Sequence, residues 1–299
     1  MKKTLLLGPF CAPNTNAINS ELVIGIPSPL AGLGFARKLS ILTGQDSSTT
    51  ERACAIFHNF QISSGRHKPA PVNKNKSDYS NIETPEKITG HTTFSILLHY
   101  PENFVGNENV VWEKIKQMRY AGSALFPADV AGNSMPWHTA KRDKYVRFLT
   151  EENLQDSLLK IPQGWMYLPI TETTKSVFKP TVFGEGKENI HHLIHTMDRA
   201  RKDENHKAVL QPTLCAFQAY QECRQAKSDT SFPRAIVSPM FSVCEQLSSR
   251  SLFFTRPEFS VDDMWHYAFS SQKETTYLSP SYKGLSSTPP KAQTQGDFS

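Results

Sequence analysis

The stretch NTNAINSELVIGIPSPLAGLGFARKL, Asn14 to Leu39, decides how the chain is read. It joins an apolar run, Thr4–Phe10, to a segment, Pro29–Leu42, whose residues Leu30, Leu33, Gly34, Ala36 and Ile41 recur near helical spacing. Ser28 or Pro27 stands at the entry to that helix and Gly44 at its exit. The bend between strand and helix gathers asparagines, glycines and prolines, and the stretch ends on a basic part of the helix, Arg37-Lys38. An apolar strand feeding such a bend offers backbone and amide groups to a ligand. Glycine and proline punctuate loops of every kind, however, so the flanking segments carry the argument.

Outward from this stretch, RACAIFHNFQI (Arg52–Ile62) reads as a second strand and TTFSILLHY (Thr92–Tyr100) as a third. Between them, 63–91 is a long polar loop. Asn107–Ala121 places Val111, Ile115 and Met118 at i, i+4 and i+7, which predicts a helix closed by Gly122. Ser123–Phe126 follows as a short fourth strand. The order β-α-β-β-α-β is that of the ferredoxin-like, RRM-like layout, an α+β fold. Two helices on one face of such a sheet leave the other face open, as in RNA-recognition modules. Residues 1–128 therefore read as an RNA-binding core and 129–279 as a mixed α/β extension, with a disordered tail at 280–299 rich in Ser, Thr, Pro, Gln and Gly. In the extension, helices are expected over Lys141–Leu159, Asn189–Arg201, Pro239–Leu247 and Asp262–Phe269. A strand is expected over Pro162–Ile170, and Leu210–Gln225 is mixed.

Composition bounds the function. The chain has 299 residues and a charge of +5, a mild basic excess that suits a polyanion without requiring one. Its five cysteines are Cys11, Cys54, Cys215, Cys223 and Cys244; none forms a C-x-x-C, so neither a zinc site nor a disulfide framework is implied. Reduced thiols in the cytoplasm are the plain reading. No apolar run approaches the roughly 20 residues of a membrane span, and Pro9 interrupts the only leader-like segment.

No motif selects an enzyme, a cofactor or a metal. His191, His192 and His195 cluster, but no Glu stands between them as in H-E-x-x-H and no third ligand is marked, so packing or a surface role accounts for them. G-x-S-x-G, Walker and dinucleotide fingerprints are absent. Basic residues are more telling. Arg66, Lys68, Lys74 and Lys76 lie in a segment without any acid, which suits a phosphate backbone. Lys141, Arg142, Lys144 and Arg147 alternate with an acid and also fit a solvated face. Asn14 and Asn16 either read phosphate or base edges or merely stabilise a turn.

The order NTNAIN, GIP, GLGFARKL resembles the N-A-N-A-x-S, G-F-P, G-F-x-H-A-L signature of the Cas-five-type subunit of the type I-F CRISPR surveillance complex (Cascade). CAIFHNFQ (54–61), EKITGHTTFSILL (86–98) and QMRYAGSALF (117–126) are similar to that family's later elements. So are FSVCEQL (241–247) and DDMWHYAF (262–269) near the C-terminal end. Glu21, Val23, Arg37 and Ser123 depart from the pattern; Arg37 stands where the family has His and Ser123 where it has Gly. The resemblance implies a ferredoxin-like protein of the RAMP superfamily with no catalytic role. It would bind the 5′ handle of the CRISPR RNA (crRNA), cap the filament of backbone subunits, adjoin a large subunit and contribute to recognition of target double-stranded DNA. The implied RNA contacts are Asn14, Asn16, Ala17, Ser20, Gly25, Arg37, Lys38, Arg119, Tyr120 and Gly122, supplemented by the 66–76 loop. The implied DNA contacts are Lys141, Arg142, Lys144 and Arg147. A backbone (Cas-seven-type) subunit, a repeat-RNA endonuclease and a generic RNA-binding module are the alternatives.

Overall fold

The computed structural model describes residues 3–18, 24–45, 51–63, 88–100, 104–170, 209–219 and 237–270, with short pieces at 194–195, 197–198, 201–202, 224–225, 233–234 and 275–278. The expected 66–76 basic loop and the 280–299 tail lie outside these residues, and so does most of the expected helix at 189–201.

The fold is α+β, with a mostly antiparallel sheet and few helices. Strand β1 (Lys3–Asn16) runs past the expected Phe10 and includes the first residues of the bend. Helix α1 (Pro29–Leu42) starts after Ser28 with Pro29 in its first turn, where a missing N–H costs nothing. Its buried face is Gly32, Leu33, Phe35, Ala36, Leu39 and Ser40, so Gly34 and Ile41 point outward, contrary to the expected face. Strand β2 (Arg52–Ile62) and strand β3 (Thr89–Tyr100) pair along their lengths, and β3 pairs with β1 on its other side. Helix α2 (Glu108–Ile115) is capped by Asn107, whose side chain accepts from the Val110 N–H.

The expected continuation of α2 to Ala121 gives way to a tight hairpin, β4 (Arg119–Tyr120) and β5 (Ser123–Ala124). Gly122 belongs to this turn and does not close the helix. The strand that joins β1 is β6 (Phe126–Pro127), and the local order is β2-β3-β1-β6.

Alternation along the strands divides the interior into two cores. Leu5, Leu7, Phe94, Ile96 and Leu98 face α1 and α2. Leu6, Cys54, Ile56 and Leu97 face the opposite way, into a second core with Leu158, Met166, Leu247 and Met264. The expected open face is therefore covered over the lower sheet, and β3 is buried at every position but His91. Each fully buried Leu contributes about 1.5–3 kcal/mol, so a sheet with this many apolar residues on both faces is covered on both.

The second half supplies the cover and corrects the expected helices. Lys141–Leu159 divides into α3 (Arg142–Tyr145), β7 (Val146–Leu149) and α4 (Leu154–Leu159). Residues 146–149 pair with Thr4–Leu7, satisfying backbone groups that the edge of β1 would otherwise leave open. Strand β8 (Trp165–Leu168) falls where expected. Next come β9 (Val209–Ala219), the short β10 (Arg224–Gln225) and β11 (Pro233–Arg234), and β12 (Val237–Ser248). The expected helix at Pro239–Leu247 is thus a strand held between β8 and β9. After α5 (Leu252–Thr255), the expected helix at Asp262–Phe269 is one 3-10 turn, Val261–Asp263, boxed by Ser260 and Asp263, followed by β13 (Trp265–Ser270). Strand β14 (Thr275–Leu278) links β13 to β9.

One edge of β2 is shared. Ile56 and Phe57 pair with β8, whereas Arg52 and Ala53 pair with β13. The strands β2, β8, β12, β9, β14 and β13 consequently form a closed circuit.

Candidate nucleic-acid interface

The bend that opened the sequence reading meets the β4–β5 hairpin at one end of the sheet. The Asn16 N–H donates to the Ala121 carbonyl (2.9 Å), and Ser123 Oγ donates to the Pro13 carbonyl. The Gly25 N–H returns to the Ala17 carbonyl (2.8 Å), closing the bend on itself. Three left-handed residues cluster here: Asn14 (φ 62°), Ala121 (φ 46°) and Gly122 (φ 83°). Asn is among the residues that tolerate this region and Gly pays nothing there, while an Ala at positive φ is strained.

Of the expected RNA contacts, Asn14, Asn16, Gly25, Arg119 and Gly122 are brought together at this end. Asn14 and Arg119 are exposed. The Asn16 side chain is committed to its own turn, donating to the Ile18 carbonyl (3.2 Å) and accepting from the Ile18 N–H (3.1 Å), so the turn-stabilising alternative holds for it. Ala17 is fully buried and contributes only backbone. Tyr120 is also buried, stacked on Phe94 at 4.1 Å between ring centroids, and burial pushes its phenol pKa far up; it is a core residue. Ser20, Arg66, Lys68, Lys74 and Lys76 lie outside the described residues.

The remaining cations are elsewhere. Arg37 sits 3.6 Å from Glu51, whose carboxyl burial drives upward in pKa and Arg37 draws back down. Glu51 adjoins the start of β2, which pairs with the far end of β3, so Arg37 lies at the opposite end of the strands from Asn16. Lys38 is exposed on the same helix. Lys141, Arg142 and Lys144 are exposed around α3, where Arg142 donates to Asn109 Oδ1. Arg147 does not share their surface. It pairs with Leu6 across the β1–β7 ladder, on the face of the second core, and its Nε is buried with no hydrogen-bond partner. Burial draws its pKa down.

Sequence reasoning missed a cleft of about 320 Å³ beside the bend. The segment Ile24–Pro29 and Gly32 of α1 form one wall; Ala53, Ala55, Phe57 and Phe60 of β2, with Tyr167, Gln211, Thr213, Cys244 and Trp265 from the strand circuit, form the rest. Trp265 is fixed by donating its Nε1–H to the Tyr167 carbonyl (2.7 Å), and Cys244 Sγ donates to the Gln211 carbonyl. No local signal finds this cleft, because strands distant in sequence build it.

A second unforeseen feature is the pair His58–Ser95. His58 Nε2 lies 2.8 Å from Ser95 Oγ and Nδ1 lies 3.2 Å from the Gln163 carbonyl. The carbonyl accepts, so Nδ1 carries the proton and Ser95 donates to Nε2. Burial lowers the His58 pKa to about 4. A Cβ on Gly164 would stand 2.8 Å from His58 Nδ1, so only glycine allows this close approach. Ser95 is wholly buried and makes a bridge across the sheet, not a reachable nucleophile.

Among the described residues no group of His, Cys, Asp and Glu is placed to hold a metal ion, and no helix is long and apolar enough to cross a membrane. Cys11, Cys54 and Cys244 are buried thiols outside any disulfide. No family model matches the chain, and no curated protein is significantly similar to it.

Proposed function

We propose that this chain is a non-catalytic RNA-binding subunit of a type I-F-like CRISPR surveillance complex. It grips the 5′ handle of a crRNA with the Asn14–Gly25 bend and the Arg119–Gly122 turn. The observation that carries the reading is the convergence of those two segments, joined by the Asn16–Ala121 hydrogen bond. Exposed Asn14, exposed Arg119 and the backbone of three left-handed residues then face one strand together. Amides suit base edges, and a guanidinium suits phosphate or the face of a base. The order β2-β3-β1-β6 with α1 and α2 on one face is compatible with a ferredoxin-like core, and this supports the RAMP-type reading.

In this reading the subunit works in the cytoplasm, caps a filament of backbone subunits and adjoins a large subunit. Exposed Lys141, Arg142 and Lys144 give it a surface for target double-stranded DNA. Arg147 is left out of that surface because it is half-buried on the face of the second core.

The test is co-expression of a tagged chain with its neighbouring genes and a repeat–spacer array, followed by sequencing of the recovered RNA. The expected result is one copy of the chain per crRNA, with the repeat-derived 5′ end protected. Arg119→Glu should abolish that protection and flatten the salt dependence, whose log–log slope is about −0.7 per phosphate contact on a single strand. Several copies per RNA would move the chain to the backbone class, and recovery without RNA would refute the proposal.

A further inference from the structure

We infer that the cleft between α1 and the strand circuit receives one neutral aromatic heterocycle, a nucleobase of the bound strand. The inference rests on the RNA-binding reading and names the part of the ligand that this second site takes. Its first support is chemical: among the described residues no charged side chain lines the cleft, so a phosphate, carboxylate or ammonium finds no counter-charge among them. Its walls include Phe57, Phe60, Tyr167 and Trp265, rings against which a flat ligand packs. Among the polar groups, Gln211 and Thr213 are neutral. Gln211 donates one side-chain amide N–H to Gln246 Oε1 (2.9 Å), which leaves its side-chain Oε1 to accept from a base edge.

Size and position agree. About 320 Å³ lies at the low end of the ~300–1,000 Å³ range of small-ligand pockets, enough for a base and part of its sugar. The rim is continuous with the candidate interface, because Gly25 lines the cleft and its N–H is bonded to Ala17 of the bend. A strand held between Asn14 and Arg119 therefore passes the opening, and unstacked single-strand bases are the usual objects of such pockets.

The test uses the full chain and a short single-stranded RNA carrying 2-aminopurine at each position in turn. A companion arm measures retention of the four free nucleosides by equilibrium dialysis. Ala55→Phe fills the cleft from β2 without touching the bend, and Thr213→Val removes a hydroxyl while keeping the shape. The expected result is one position whose fluorescence change disappears in Ala55→Phe, with affinity falling roughly 5- to 150-fold. Thr213→Val should shift the base preference at that position alone, with an unchanged melting temperature. That readout stands even where Ala55→Phe fails to fold. RNA bound with no position sensitive to either variant overturns the cleft inference and leaves the RNA-binding reading intact. Free nucleosides retained without RNA, and lost in Ala55→Phe, uphold the heterocycle site and overturn the strand as its source. Binding of neither defeats both.

Discussion

The helix-covered part of the sheet and the strand circuit are built from the same elements but announce themselves differently. In the first, the observed bounds of α1 and β2 agree with the sequence reading at both ends. Proline at the first turn of α1, and the aromatic, apolar run of β2, are local signals that the rest of the fold does not contradict. In the circuit, β12 was expected as a helix. Cys244 faces the first core, Leu247 the second, and Glu245 is buried with Arg256, so the strand is apolar or polar on either side without a clean period of two. Its conformation is fixed by β8 and β9, which are remote in sequence. Local signals suffice where a residue carries its own conformation, as Pro29 does at the start of α1, and strand partners decide where it does not, as in β12.

The sharpest way to break this comparison is to remove the circuit's internal charge pair. Glu245 and Arg256 are both 5% exposed, and Arg256 also donates to the Pro169 carbonyl (3.1 Å). Arg256→Met leaves a buried carboxylate unpaired and should cost about 3–5 kcal/mol in urea unfolding. The double variant Glu245→Leu, Arg256→Met should regain most of that loss. A single variant as stable as the wild type would mean that β12 is held by its apolar contacts alone.

A second comparison sets the two faces of one strand against each other. Leu97 points into the second core and Leu98 into the first, both wholly buried. Each Leu→Ala change should cost about 2–5 kcal/mol. If Leu97→Ala is mild while Leu98→Ala is severe, the circuit's core is loosely coupled to the helix-covered one.

The smallest expected effect is on pH dependence. His58 joins the two regions through Ser95 and Gln163, and its pKa is about 4 against an ordinary 6.5. Between pH 6.5 and about 4 the unfolded chain binds a proton that the folded chain refuses, so stability falls as the pH drops through that window. The loss is on the order of 3 kcal/mol and levels off below pH 4. His266, also lowered to about 4 by burial, adds in the same direction. His58→Gln should flatten the difference between unfolding midpoints at pH 7.5 and pH 5, and an unchanged difference would assign it to other groups.

The same contrast governs the candidate site. The start of the bend is legible because Asn, Gly and Pro in short runs carry their conformations with them, whereas the Arg119–Gly122 turn lies where the sequence predicts the end of a helix. Tyr120, implied as a contact by the resemblance, is buried against Phe94, and an aromatic residue next to an exposed Arg gives no sign in sequence of which way it faces. The cleft was invisible because Ala55, Gln211 and Trp265 acquire a common purpose only when β2, β9 and β13 meet. The separation of Arg147 from Lys144 was hidden by a helix expectation that β7 overturned.

The pairing of β2 with β13 sets an order of events during synthesis. Arg52 and Ala53 leave the ribosome long before His266 and Trp265, yet the circuit cannot close until the latter arrive. β1 likewise waits for β3 and then β7 before both its edges are occupied. A nascent chain of this kind carries unpaired apolar strands through most of its translation, when stray association competes with completion. Its yield should therefore depend on what meets those strands in the interval, a helper that shields them or an assembling neighbour, more than on the stability of the finished molecule.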